Sequence, residues 1–313
     1  MDWTGWVGIA LGLTGAVILA WIAASRSPSR LPGAPPSPPS PTSASSTPAS
    51  PARGSPAPAP VPGFPAPAPA PAPMSFAAYQ AGWRETHLFG EEAQPGGQVA
   101  AAYLRLPYLV GAPLARAGVD PDLMTLAALW VALVAGWTAT LGPGWAAAAG
   151  TLTFVAGVAD SVDGAVAVLQ GRTSAFGFVW DSTADRLADL AVIAGPVVLV
   201  ATEADPGWGA AAVAAGTAAA GLLLLLEYVR ARAQAGQVPA AWSLVTPGER
   251  PTRVIVLGLT GLAVGAAQLG GDGLAGPALD AGYPLALAVL AVLEGVGCLQ
   301  LLLAVRCAAM PLR

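Results

Sequence analysis

Residues 160–185 read Asp160-Ser161-Val162-Asp163-Gly164-Ala165-Val166-Ala167-Val168, then eight residues, then Gly177-Phe178-Val179-Trp180-Asp181-Ser182-Thr183-Ala184-Asp185. On an α-helix, Asp160, Asp163, Gly164 and Ala167 share one face by their i, i+3, i+4, i+7 spacing, and Gly177, Asp181 and Asp185 share another by i, i+4, i+8. The short polar stretch from Gln170 to Ser174 suits a turn, with Thr173 or Ser174 as the N-cap of the second helix. Folding the two helices into a hairpin brings two pairs of carboxylates together.

The flanks of this stretch are strongly apolar. The 313 residues are 55% hydrophobic and 10% charged, with a mean hydropathy of +0.61, whereas soluble domains carry about 25% charged residues. That balance excludes an ordinary soluble domain, and the Leu, Val and Ala content excludes the low-hydrophobicity kind of disorder. Six apolar blocks lie at about 122–141, 144–168, 175–202, 208–233, 252–269 and 281–306, each near the ~20 residues that cross a bilayer. Connections without Arg carry Glu203, Asp205, Asp272 and Asp280; the opposite ends hold Arg105, Arg116, Arg172, Arg186, Arg230, Arg232, Arg250, Arg253, Arg306 and Arg313. Arginines confined to one side predict a six-helix bundle with that side in the cytoplasm. The expected fold is therefore all-α and polytopic: a six-transmembrane-helix domain over 122–313, preceded by a cytoplasmic segment over 74–121. Within that segment, residues 98–117 read as an interfacial helix broken at Pro107 and Pro113.

One further span is expected at the N-terminus, residues 1–26, where the apolar run 3–24 has Trp3, Trp6 and Trp21 near its ends. A cleaved signal peptide fits less well, because Met1 and Asp2 lack the positive region such signals need while Arg26 and Arg30 follow the run. Gly8 and Gly12 have a helix-packing spacing. Residues 27–73 hold 18 of the 31 prolines and read as a disordered Pro/Ala/Ser tether favouring polyproline II.

Composition also narrows the chemistry. All 14 basic residues are Arg and none is Lys, so no Schiff base or phosphate-loop lysine is available. His87 is the one histidine and lies outside the apolar blocks, which argues against a Ser-His-Asp hydrolase or a multi-His metal site. Cys298 and Cys307 are nine positions apart on one expected helix, about 13 Å along its axis, too far to bridge. Carboxylates and arginines are what remain.

Four carboxylates at a membrane edge are costly: one Asp at mid-bilayer costs about 2.5–3.5 kcal/mol even on lenient scales. Arg172 and Arg186 are too few to compensate them, so divalent cations held by hard oxygen ligands are the natural answer. A pair of Mg²⁺ or Mn²⁺ ions would suit displacement at phosphorus, and the in-phase glycines leave room for a bulky ligand to approach the backbone. A polar channel or ion pathway is the competing reading; it accounts for the acids but not for the glycines and Ala167 in phase with them.

These residues resemble the signature of the CDP-alcohol phosphatidyltransferases (CDP-alcohol phosphotransferases), D-x2-D-G-x2-A-R-x8-G-x3-D-x3-D. Seven of its eight specified positions are kept, Asp160, Asp163, Gly164, Ala167, Gly177, Asp181 and Asp185, with the eight-residue gap intact. The resemblance covers roughly residues 98–306 and implies an interfacial helix followed by six membrane helices. It implies transfer of a phosphoalcohol group, usually phosphatidyl, from a CDP-linked donor such as CDP-diacylglycerol to an acceptor hydroxyl, releasing CMP, in phospholipid synthesis. It assigns Asp160, Asp163 and Asp181 to two Mg²⁺ or Mn²⁺ ions, and Asp185 to the general base, also able to touch metal. Gly164, Ala167 and Gly177 would line the CDP pocket.

The eighth position departs: Val168 stands where the family has Arg, and Arg172, four residues on, is the candidate to reach back and serve the donor. The stretch Glu227-Tyr-Val-Arg230-Ala-Arg232 to Gly248-Glu249-Arg250-Pro-Thr-Arg253 is similar to the matching segment of bacterial phosphatidylinositol-phosphate and phosphatidylglycerophosphate synthases. By that resemblance Arg230, Arg232, Arg250 and Arg253 hold a phosphorylated acceptor, for which the forked guanidinium is suited. Glu227 is expected to orient Arg230 or Arg232, Asp189 to support the acidic stripe, and Glu294 has no evident partner. A homodimer in a bacterial cytoplasmic membrane, with its site facing the cytoplasm and no nucleic-acid partner, completes the expectation. The alternatives are a catalytically silent membrane scaffold and a carboxylate-lined cation transporter.

Overall fold

A computed structural model describes residues 75–87, 97–238, 244–270 and 274–309. Among them every regular element is helical: α1 (Phe76–His87), α2 (Gly97–Arg116), α3 (Pro121–Ala139), a 3-10 turn (Pro143–Trp145), α4 (Ala146–Gln170), α5 (Ala175–Glu203), α6 (Pro206–Ala235), α7 (Arg250–Leu269) and α8 (Ala275–Ala309). The expected N-terminal span and proline tether lie outside the described residues.

The boundaries follow from local chemistry. Asp120 caps α3, its carboxylate accepting from the Asp122 N–H at 3.0 Å, and Pro121 opens the helix. Asp205 and Pro206 do the same for α6. Ser174, one of the two expected caps, starts α5 by accepting from the Gly177 N–H at 2.9 Å. α4 ends at Gly171, which adopts the left-handed conformation with φ 61°, and the Arg172 N–H closes back onto the Ala167 carbonyl at 3.0 Å.

Two expectations are corrected. α2 is one continuous helix with Pro107 and Pro113 inside it; its packing on α4, where Gly111 sits against Ala165, supports the backbone the prolines interrupt. The last helix begins at Ala275, so Asp280 lies within it rather than before it. Asp280 there accepts from the Asp205 N–H at 3.2 Å, which brings two of the Arg-free ends together.

Among the described residues, five helical segments are long and apolar enough to cross a membrane: Pro121–Ala139, Pro143–Gln170, Pro206–Ala235, Arg250–Leu269 and Ala275–Ala308. The chain is an integral membrane protein. α5, 29 residues long, packs among them but carries Asp181, Asp185, Arg186 and Asp189 in its first half.

One apolar core joins α3 to α8 through Leu129, Val192, Leu223, Leu257, Tyr283 and Leu287. Within lipid the hydrophobic effect does little to drive helices together, so close backbone approach and dispersion must do so. Gly136 of α3 and Gly195 of α5 meet backbone to backbone, and a Cβ at either would collide with the other helix. Gly150 of α4 faces α7 in the same way, where a Cβ would stand 2.6 Å from the Gly258 carbonyl oxygen. These contacts fix the two site-bearing helices, α4 and α5, against their neighbours. Gly136→Val should therefore cost at least the ~1–3 kcal/mol of an overpacked core, seen as a lower midpoint of thermal unfolding by circular dichroism in detergent.

Candidate active site

The turn after Gly171 joins α4 to α5, and both helices pack on α3. Asp160 and Asp163 from α4 and Asp181 from α5 each present a carboxylate oxygen, all within 4.8 Å of one another. Asp163 is buried and held from two sides: the Thr125 hydroxyl donates to it at 2.5 Å, and the Gly164 N–H at 2.5 Å. A Cβ at Gly164 would meet nothing within 4 Å, so the α4 face beside the acids is open. At Gly177 a Cβ would approach the Ser174 hydroxyl at 3.1 Å and the Asp122 carboxylate at 3.6 Å.

Asp185 is not part of that three-acid set. It is ion-paired with Arg250, and Arg186 lies 3.4 Å from its other oxygen. Arg250, from the first turn of α7, also donates to Asp160 at 2.5 Å and lies 3.9 Å from Asp189. It thus links the two halves of the acidic motif. Arg186 bridges Asp185, Asp189 and Glu227, the last at 2.6 Å. Arg253 is fully buried and divides its guanidinium between Asp189 at 2.9 Å and Glu294 at 2.7 Å. Such buried ions are tolerable only when paired and hydrogen-bonded.

The four arginines expected to hold an acceptor differ in their surroundings. Arg250 and Arg253 are occupied by carboxylates as described. Arg230 is half-buried, held by Glu249 at 2.7 Å and by the Leu244 carbonyl at 3.3 Å. Arg232 is exposed and makes no ion pair among the described residues. Glu227 serves Arg186 rather than Arg230 or Arg232, and Glu294 has a partner in Arg253. Asp189 takes the expected supporting place, beneath the stripe and in contact with three arginines.

Arg172 cannot return to position 168 along the helix, because α4 has already ended at Gly171. It is an exposed residue paired with Asp120 at 3.0 Å. Val168 itself is buried in a small core with Tyr79, Leu104, Ala165 and Leu169, and Gly82 of α1 sits directly against it, with 3.3 Å between its Cβ position and Val168 Cγ1. A short apolar residue at 168 is what lets α1 dock there.

Sequence spacing missed Thr125, whose partner is 38 residues away, and Glu249 as the clamp on Arg230. It counted Arg186 only as insufficient charge, whereas Arg186 touches three acids. Nothing in periodicity marks such long-range partners; the unusual concentration of acids on α5 was the available signal.

Residues 119–298, more than half of the chain, match the CDP-alcohol phosphatidyltransferase family. The chain belongs to that family, and is a transferase of CDP-alcohol phosphatidyl transfer in phospholipid synthesis. It is similar to the phosphatidylinositol phosphate synthase of Mycolicibacterium smegmatis, 34% identical over 158 residues, which cover 50% of this chain and 68% of that one. It is also similar to the enzyme of the same name from Mycobacteroides abscessus, 34% identical over 178 residues, 56% of this chain and 75% of that one. The fold is shared with Mycobacterium tuberculosis phosphatidylinositol phosphate synthase crystallised with manganese and citrate: TM-score 0.52, 23% identity, covering 66% of this chain and 93% of that one. The same synthase with CDP-DAG bound gives a TM-score of 0.52 at 24% identity, covering 67% and 99%.

Val168→Arg would bury a cation against Gly82 and Tyr79. Limited proteolysis should then cut within α1 faster than in the parent protein, with fragments assigned by mass spectrometry.

Proposed function

We propose that the protein transfers the phosphatidyl group of CDP-diacylglycerol to a hydroxyl of a phosphorylated polyol, an inositol phosphate, at the cytoplasmic face of a bacterial plasma membrane. The observation that carries this reading is the convergence of Asp160, Asp163 and Asp181. Three carboxylates with nothing but hard oxygen donors fit Mg²⁺ or Mn²⁺. Charge balance supports two ions. The connected network holds seven carboxylates (Asp160, Asp163, Asp181, Asp185, Asp189, Glu227, Glu294) against three guanidinium groups (Arg186, Arg250, Arg253), leaving four negative charges when all are ionised, the charge of two divalent cations. When bound, the ions would neutralise phosphate charge and polarise the phosphorus under attack.

The chain's own residues do the rest. Thr125 and the Gly164 N–H hold the Asp163 carboxylate in one orientation, and Asp160 is aligned by Arg250. The open backbone at Gly164, with Ala167 on α4 and Gly177 on α5, admits the nucleotide. Asp185, oriented by Arg250 and Arg186, is the general base. It takes the proton of the acceptor hydroxyl as that oxygen bonds to the phosphorus bearing diacylglycerol. The bond from the same phosphorus to the bridging oxygen breaks, and CMP leaves with that oxygen. Arg232, which is exposed, and Arg230, which is paired with Glu249, lie at the end of α6 and are the cations proposed to meet an acceptor phosphate, and the names of the similar synthases support an inositol phosphate.

The same reading takes α5 as a sixth span, its charged half inside the bundle and its apolar half, from Leu190 onward, completing the crossing. The arginine-bearing ends then face the cytoplasm by the positive-inside rule. Residues 1–26 serve as an anchor, 27–73 as a tether and 74–121 as a cytoplasmic segment ahead of the catalytic domain, and the enzyme works as a homodimer, as members of this family commonly do.

The test is CMP release by the purified full-length protein in detergent, given Mn²⁺ or Mg²⁺, CDP-diacylglycerol and a panel of inositol phosphate, glycerol phosphate and unphosphorylated alcohols. Release should require inositol phosphate and be lost in Asp185→Asn; release with glycerol phosphate alone would overturn the acceptor. Thr125→Val, which frees Asp163 from its orienting hydroxyl, should weaken Mn²⁺ binding by about tenfold, as outer-sphere partners of metal ligands do, read by electron paramagnetic resonance titration.

A further inference from the structure

Glu294 lies within the long apolar helix α8 and is 1% exposed. Its Oε1 accepts from Arg253 Nη1 at 2.7 Å, and the same Nη1 donates to the Gly248 carbonyl at 2.5 Å. Among the described residues its Oε2 has no hydrogen-bond partner, and it lies against Gly248, where a Cβ would come within 2.5 Å of it. Gly248 belongs to a strap, Leu244–Glu249, that leads into α7.

The strap is seated on α8 along its length. Leu244 packs on Leu226, Cys298 and Leu301. Thr246 rests on Gly297, where a Cβ would stand 3.1 Å from the threonine side chain. Gly248 rests on Glu294. At its end Glu249 accepts from the Thr246 N–H at 3.0 Å, from the Thr246 hydroxyl at 2.9 Å and from Arg230 at 2.7 Å, while Arg230 also donates to the Leu244 carbonyl. Arg230 is therefore held by both ends of a strap whose own position is set from inside α8.

We infer that Glu294 is a positioning residue for the acceptor: through Arg253 and the Gly248 carbonyl it fixes the Leu244–Glu249 strap that presents Arg230, and so governs acceptor affinity rather than donor handling. This rests on the reading of Arg230 as an acceptor contact. A charge is needed at 294 because Arg253 already shares its other arm with Asp189, and a neutral residue leaves a buried guanidinium half-paired. Gly248 has no Cβ because Glu294 occupies that space.

The experiment is steady-state kinetics on the full chain in detergent with Mn²⁺, varying inositol phosphate and CDP-diacylglycerol separately, for Glu294→Leu, Glu294→Gln and Arg230→Gln. Glu294→Leu should raise the acceptor KM about tenfold, equivalent to ~1.4 kcal/mol, with the donor KM unchanged. Glu294→Gln, which keeps a neutral acceptor for Arg253, should raise it less, since a charge-assisted hydrogen bond is roughly twice as strong as a neutral one. It decides the matter if the Leu variant does not fold. A lower unfolding temperature with an unchanged acceptor KM, or equal rises in both KM values, would overturn the inference. Arg230→Gln separates the two levels. If it raises the acceptor KM while the Glu294 variants do not, the inference alone fails; if it leaves the acceptor KM unchanged, the acceptor reading fails and the inference with it.

Discussion

Burying carboxylates among membrane helices imposes the strongest demand on this protein. An unpaired ion in a low-dielectric interior is not tolerated, so Asp160, Asp185 and Asp189 each draw a counter-charge from another helix, while Asp163 is held by the Thr125 hydroxyl and the Gly164 N–H. Arg250 of α7 reaches Asp160 and Asp185, Arg186 reaches Glu227 of α6, and Arg253 of α7 joins Asp189 of α5 to Glu294 of α8. The site and the bundle are thus one electrostatic object. Deleting a guanidinium would remove a helix–helix tie and change the charge offered to a cation in one step.

The apolar half of the bundle meets a different demand. Lipid solvates leucine as well as a protein core does, so association there depends on how closely backbones approach. Gly136 on Gly195 supplies that approach between α3 and α5, and Gly150 on Gly258 and Gly261 between α4 and α7. α4 and α5 are held by glycine contacts in their apolar parts and by ion pairs in their polar parts, which leaves the carboxylate face little freedom to spread.

Departure from the family signature at Val168 is a matter of packing. α1 lies before the region that matches the family, 119–298, and it docks on α4 over Val168 through Tyr79 and Gly82. A long cation at 168 would compete for the same space. The helix that follows the N-terminal segments is thereby joined to the helix carrying two of the acids.

Much of this was legible in one dimension. Apolar block lengths, an i, i+4 pattern of acids and glycines, Ser174 ahead of α5 and the side-by-side alternation of arginine depend on local geometry, which repeats along a helix and so leaves a trace in spacing. They specified an all-helical membrane protein and brought together two pairs of carboxylates, Asp160 with Asp163 and Asp181 with Asp185, whereas the set of three was implied by the resemblance to the family signature. Long-range partners leave no such trace. That Thr125 holds Asp163, that Arg253 pairs with Asp189 and Glu294, that Glu227 serves Arg186, and that α2 runs on through two prolines all depend on which helices lie against one another. Spacing placed the acids on their helix faces, and the packing of α3, α6, α7 and α8 around them determined their partners, because a buried charge takes whichever opposite charge the neighbouring helix brings within reach.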